Sequence, residues 1–541
     1  MKRLASSASG LVPLALGMAL VAALLPLLFV RMPTMWDYPN HLVRYWILLG
    51  QAEGTPVASM FRPDWSLART NIGSDLLAVG IGRLISFEAV TPVLVGLSVL
   101  ILPLGAIALN RTLFGVWHVW QVALVALTWN YVLTGGLLSF QIALGSAMLG
   151  AALDLKLSHA PGIARWLTRL VLATGLLVVH VFGLLFFLVL LVGIEVGRRL
   201  PAIRSPSVRW LLARRLVLAG IACCIPLVVL VLTAPKLPGA HEQLVDAPLF
   251  GTVLKFRSLL SLDRLAIFLA PVRTYSLIFD LATLFALVAA PAYAAWRRRI
   301  NVHAGLFGMG VLLLSVSHFV PEIAFGTGLI DIRLPMMAGL LLAGSIRPRL
   351  AETAENERLA LAVTLALVLL RASFIGYTWM ERQADIRSIE AATIGMPAGA
   401  AVLVAENRPT DATKWLGAPL GRYGVGIPIY RHLGTTIVMS RRAFVPTIFT
   451  AAGKQPLEIL PPWRDISVPE GGTPKVDDLD NPRMAEPDEF PYLRNWRARF
   501  DYVLLINADL PNAGMHAAQV PGLSLVSDKG FARLYRIDRR P

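Results

Sequence analysis

Between residues 10 and 378 the chain returns repeatedly to apolar runs long enough to cross a bilayer, separated by short stretches in which arginine gathers. A helix needs about 20 apolar residues to span the hydrocarbon core. In lipid every backbone polar group must be satisfied internally, so a chain built of such runs is confined to a helical membrane fold. The runs fall near 10–30, 88–109, 114–134, 136–155, 166–179, 181–197, 212–233, 276–296, 303–320, 333–347 and 359–378, about eleven spans. Only 16% of the 541 residues are charged, and 56% are hydrophobic. A soluble chain carries nearer a quarter charged residues. The formal net charge of +16 does not point to nucleic acid, because the arginines cluster at the ends of apolar runs, the pattern of a polytopic membrane protein.

The first run, "GLVPLALGMALVAALLPLLFV", follows Lys2 and Arg3 but is span-length and has no A-x-A site after it. It is expected to be an uncleaved first span. Lys2/Arg3, Arg111, Arg165/Arg169, Arg198/Arg199, Arg214/Arg215, Arg297 to Arg299 and Arg347/Arg349 then fall on one side, which sets the N-terminus in the cytoplasm of a bacterial inner membrane. Region 166–197 is too long for one span and short for two, and is expected to form two half-crossing helices meeting near His180. Cys223 and Cys224 are adjacent in an apolar run and supply neither a disulfide framework nor a thiolate metal site.

This topology leaves residues 31–87, 234–275 and everything after about 380 on the outer side. The expected division is a transmembrane domain over 1–378 and a small C-terminal periplasmic α/β domain over 379–541. The tail is Pro- and Gly-rich and acidic, with strand-like runs "AAVLVA" and "FDYVLLI" and a hairpin from "LSLVS" to "ARLYRI". "VPEGGTPKVDDLDNPRMAEPDEF" reads as a surface loop, and "NIGSDLLAVGIGRLISF" in the first outer segment as an interfacial helix.

Just past the first run stands "MWDYPNHLVRYW", residues 35–46. Pro39 suits the first turn of a helix and Asp37 its N-cap. His41, Arg44 and Tyr45 then follow at helical spacing. One expectation is structural: Asp37 caps the helix, Arg44 pairs with it or with lipid phosphate, and Trp36, Tyr38 and Trp46 form an interfacial belt. The other is chemical. Asp37 at a low-dielectric boundary acts as a general base, and His41 and Arg44 bind a phosphate or a sugar hydroxyl. A second polar motif, "SHFVPEIAFGTGLIDIRLP" at 317–335, falls on the same side and carries Glu322, Asp331 and Arg333. An arginine opening an outer helix end is poorly explained by the positive-inside rule and suits an anionic ligand. Its structural alternative is an Asp331–Arg333 surface pair. Two charged motifs on one membrane face imply a shared cleft.

On these residues the chain resembles the GT-C superfamily of membrane glycosyltransferases, which take a sugar from a polyprenyl-phosphate donor. "WDYPNH" is similar to the family's acidic first-loop motif, and "DIRLP" to its late arginine–proline element, with no Tyr after Arg333. The resemblance implies a GT-C-like polytopic α-helical fold, with Asp37 assisting the attacking hydroxyl and Arg333 holding the donor phosphate. Several members carry a second acidic residue beside the first. Here the neighbour is Tyr38, which leaves a divalent-metal requirement open.

The expected function is transfer of a glycosyl unit from a polyprenyl-phosphate carrier to a glycan, lipid or protein acceptor on the outer face, in cell-envelope polysaccharide biosynthesis. A lipid-linked glycan flippase is the alternative, though it calls for mid-membrane charges and internal repeats. A non-catalytic assembly protein is a third reading. Further candidates are His180, facing the cleft or bonding a carbonyl, and Gly135, Gly136, Gln141 and Gly145, for close helix packing or a donor-lipid groove. His241, Glu242 and Asp246 could contact the acceptor. His432, Arg441 and Arg442 read as a solvated basic strand face more readily than as an acceptor patch. No Walker, Rossmann, zinc or Ser-His-Asp signature is visible.

Overall fold

The computed structural model describes residues 10–233, 256, 261–323, 328–351, 353–408, 418–424, 427–481, 490–510 and 520–538. The chain forms two compact units, Met1–Leu28 with Val95–Ile375, and Phe29–Leu94 with Gly376–Pro541.

Among the described residues eight helices are long and apolar enough to cross a membrane: Leu11–Leu28, Phe87–Phe114, Leu138–His159, Gly162–Val179, Val181–Ala202, Pro206–Thr233, Leu277–Trp296 and Ala354–Ala392. Several carry exposed apolar stripes at helical spacing, such as Ile163, Leu167 and Val171, or Ile278, Leu281 and Phe285. Such stripes need lipid rather than water. The protein is a multi-pass membrane protein. The three other expected spans correspond to shorter elements. Ala304–Ser317 and Ile330–Gly344 have 14 and 15 residues. Residues 114–134 break into a turn of helix at Trp120–Ala123, a 3-10 stretch at Leu124–Thr128 and another turn at Tyr131–Thr134. Gly115 ends the preceding helix in a left-handed conformation, and the Asn130 side chain caps the last turn. This segment is apolar because it is buried in protein.

In the first unit Leu138–Lys156, Gly162–Val179, Val181–Arg199 and Pro206–Thr233 pack on one another, and Ala304–Ser317 packs on both Val181–Arg199 and Ile330–Gly344. The region around His180 thus forms two helices of 18 and 19 residues. At 1.5 Å per residue each is about bilayer length. They are longer than half-crossing because the first starts at Gly162. Small residues set two close approaches. A Cβ on Gly105 would collide with the Gly145 carbonyl, and one on Gly305 with the Gly193 carbonyl, the role expected of Gly145. Gln141 bonds Asn130 and the Thr128 carbonyl, tying the broken segment to its neighbour rather than lining a lipid groove. Arg165 and Arg169 both donate to Asp154, with Glu195 completing the cluster. Arg371 is buried and donates to Thr283 and the Trp129 and Val272 carbonyls. Asp280, 3.6 Å from Arg371, supplies the counter-charge that a low-dielectric interior requires.

The second unit holds a four-stranded sheet. Val402–Glu406 lies parallel to Tyr502–Ile506, which pairs antiparallel with Ala532–Ile537, which pairs with Leu523–Asp528. The last two strands are the expected hairpin. Val402–Glu406 is buried on both faces, in keeping with its unbroken apolar run. A short antiparallel pair, Phe61–Pro63 with Leu457–Ile459, ties the first-loop segment to the tail within this unit. Residues 429–446, expected as a strand face, contain a 3-10 turn at Leu433–Thr436 and a helix at Ile437–Arg441. The His432 ring is buried there, not solvated.

Candidate functional site

The "MWDYPNHLVRYW" motif folds as expected into a helix, Tyr38–Leu48, with Pro39 in its first turn. Asp37 holds the N-cap position but its carboxylate makes no cap bond; its carbonyl accepts from the backbone N–H of Asn40 and His41 at 3.1 and 3.2 Å. The half-buried carboxylate instead approaches His432, with Oδ1 at 3.6 Å from Nε2. His432 sits against Trp36 at a centroid distance of 6.2 Å and edge-on to Phe449 at 5.2 Å. Its Nδ1 accepts from Asn40 Nδ2 at 3.0 Å, while Asn40 Oδ1 accepts the Phe449 backbone N–H at 3.2 Å. Burial pushes the His432 imidazole down to about 3, so the ring is neutral.

His41 and Arg44 lie on the same helix but are turned into the unit rather than to a ligand surface. Arg44 donates Nε and Nη2 to Asp75 at 2.6 and 3.2 Å, a two-pronged pair whose members are at most 1% exposed. The same Nη2 donates to His41 Nδ1 at 2.8 Å. Burial, then the charge of Arg44, hold His41 well below its ordinary range. The expected phosphate-binding role therefore gives way to a buried network, because Asp75 of the Gly73–Gly82 helix neutralises Arg44 first. The interfacial belt is also corrected. Tyr38 and Trp46 are buried, and the Arg442 guanidinium lies 4.7 Å from the Trp46 ring.

In the first unit Arg333 stands in the opening turn of Ile330–Gly344, a helix entered through Leu329 at φ 59°. Its guanidinium lies 4.8 Å from the Phe182 ring centre and 5.5 Å from that of Phe140. His180 shares the same two rings, at 5.1 Å from Phe140 and 5.8 Å from Phe182. Two residues expected at the site from separate motifs are thus brought together by aromatic side chains. His180 is the extended residue between its two helices, and its Nδ1 accepts the Phe182 backbone N–H at 3.1 Å, capping Val181–Arg199. An arginine at a helix N-terminus suits a phosphate or carboxylate.

Asp331 and Glu322 take other roles. Asp331 is fully buried and pairs at 3.2 Å with Arg264, not singled out in the sequence, which also donates to the His318 and Val320 carbonyls. That pairing replaces the Asp331–Arg333 surface pair as the structural role of Asp331. The Glu322 carbonyl accepts the Ile330 N–H at 3.1 Å, steadying entry to the helix. His241, Glu242 and Asp246 lie outside the described residues. Among the described residues no group of three or more His, Cys, Asp or Glu side chains is arranged to hold a metal ion.

Sequence reasoning passed over Phe140, Phe182, Arg264, Asp75 and Asn40, and misread His432. Asn40 lay inside the quoted motif. The aromatics looked like ordinary span residues.

No family model matches the chain, and no curated protein matches it in sequence. In structure the chain is similar to the crystal structure of ArnT from Cupriavidus metallidurans in the apo state, with a TM-score of 0.50, 13% identity and 98% of each chain covered. A second crystal structure of that protein, bound to undecaprenyl phosphate, aligns with a TM-score of 0.47 and 12% identity over 98% of each chain. The likeness shows the fold, an ArnT-like arrangement of helices with a C-terminal sheet, which is the polytopic helical architecture expected from the sequence.

Proposed function

We propose that this protein is an integral-membrane glycosyltransferase that moves a sugar from a polyprenyl-phosphate carrier to an acceptor on the outer face of the bacterial inner membrane. The N-terminus is cytoplasmic and the C-terminal segment periplasmic in this reading. The observation that carries it is Arg333, held between Phe140 and Phe182 beside His180 at the opening of a helix in a GT-C-like fold. The reaction is an in-line displacement at the anomeric carbon. The acceptor oxygen forms the new bond to carbon as the bond from carbon to the phosphate oxygen breaks. Asp37 takes the hydroxyl proton. Arg333 stabilises the departing polyprenyl phosphate, which leaves as an anion and needs little protonation. A lipid-borne donor also accounts for a chain with no visible nucleotide-binding loop.

The test uses the protein in lipid nanodiscs, comparing binding of a polyprenyl phosphate with that of the polyprenol of equal length. Wild type should prefer the phosphate, and Arg333→Ala should lose the preference while Asp37→Asn keeps it. Transfer from a polyprenyl-phosphate sugar should fail in both variants. Equal binding of phosphate and alcohol by wild type would overturn the proposal.

A further inference from the structure

We infer that His432 is a positioning residue for Asp37: its Nε2–H aims at the carboxylate and holds it ionised and oriented. The inference rests on the reading of Asp37 as the base. The geometry assigns the tautomer without ambiguity. The backbone N–H of Phe449 can only donate, so the Asn40 atom facing it at 3.2 Å is the oxygen. The other end of the amide is then an N–H donor, and the His432 Nδ1 it meets at 3.0 Å must accept. A neutral imidazole with an accepting Nδ1 carries its proton on Nε2, the atom facing Asp37 Oδ1 at 3.6 Å. That distance is longer than a hydrogen bond, as contacts of this kind often are before a substrate is bound. Trp36 and Phe449 flank the ring, and burial keeps it neutral, so the polarity of the relay is fixed. Asn40 and Asp37 belong to one helical turn, while His432 is 392 residues away from Asn40. The tail thereby orients a side chain of the first loop within one unit.

A hydrogen bond to the ionised form of a carboxylate lowers its pKa, and Gln can replace the Nε2–H donor where Asn cannot. The full-length protein, labelled with 15N-histidine and 13C-aspartate, is examined in nanodiscs by solid-state NMR. Wild-type His432 should carry its proton on Nε2. The Asp37 titration midpoint should rise by about one pH unit in His432→Asn and return toward wild type in His432→Gln. His41, which interacts electrostatically with both Arg44 and His432, is the same in all three proteins. A proton on Nδ1, or one midpoint shared by the three proteins, would overturn the inference. If His432→Asn does not fold, Asp37→Asn serves in its place. The His432 Nε2–H resonance should then move while Nδ1 stays unprotonated, and an unmoved Nε2–H overturns the inference. None of these readouts needs turnover. A wild type that transfers no sugar would therefore sink the transferase reading and leave the His432–Asp37 coupling standing.

Discussion

Arg44 and Arg333 both stand in short polar motifs beside apolar runs, and from sequence either suits an anionic ligand. The structure treats them differently. Arg44 is neutralised by Asp75 and its Nη2 also bonds His41. Arg333 is held by the faces of Phe140 and Phe182. Arg44 is thus an internal strut, and its partner is 31 residues away in sequence, whereas Arg333 is the residue to which the proposed function gives the donor phosphate.

The largest effect should come from Arg44→Ala. Breaking a buried pair leaves Asp75 uncompensated and costs about 3–5 kcal/mol, read as a fall in unfolding temperature and yield of folded protein. Replacing both partners with leucine should recover most of that loss. If Arg44→Ala unfolds like wild type but loses polyprenyl-phosphate binding, the contrast between the two arginines is reversed. Arg333→Ala should instead unfold within about 2 kcal/mol of wild type and weaken polyprenyl-phosphate binding by about 10- to 100-fold, the worth of a charge-assisted hydrogen bond. Arg333→Lys should recover only part of the affinity, because a point charge cannot reproduce a stacked, forked donor.

Acid should distinguish the first-loop network next. His41 and His432 are held neutral in the fold, below the ordinary value near 6.5. As pH falls below about 6.5 the unfolded chain takes up protons that the folded chain refuses, so stability drops, by about 1.4 kcal/mol per pH unit for each histidine. For His432 the loss continues to about pH 3. Unfolding measured between pH 7 and 5 should show this slope, and His432→Gln should reduce it by one histidine's share. An unchanged slope would mean that His432 titrates normally. The smallest effect belongs to Phe182→Leu, which removes one aromatic face from Arg333 and should weaken phosphate binding about threefold.

How far these features could be read in advance depends on the range of the contacts that make them. The long spans are local properties of composition and were legible, as were the Tyr38–Leu48 helix, its early Pro39 and the C-terminal hairpin. Residues 114–134 misled because apolar composition marks burial, and protein buries a chain as well as lipid does. Gly115 and Asn130 were the local signs of the break. Arg333 and His180 were legible as isolated polar residues in apolar surroundings, but their shared aromatic cage depends on helix packing. Nothing near His432 announces that its ring is buried against Trp36, Asn40 and Phe449, because each of those contacts except the last joins the two ends of the chain.

The most direct test of the central claim is the affinity of nanodisc-embedded wild type and Arg333→Ala for a polyprenyl phosphate, each measured against the polyprenol of equal length. The account predicts a phosphate preference in wild type that disappears in Arg333→Ala while the protein stays folded. A preference that survives the substitution would place the phosphate elsewhere and contradict the role given to Arg333.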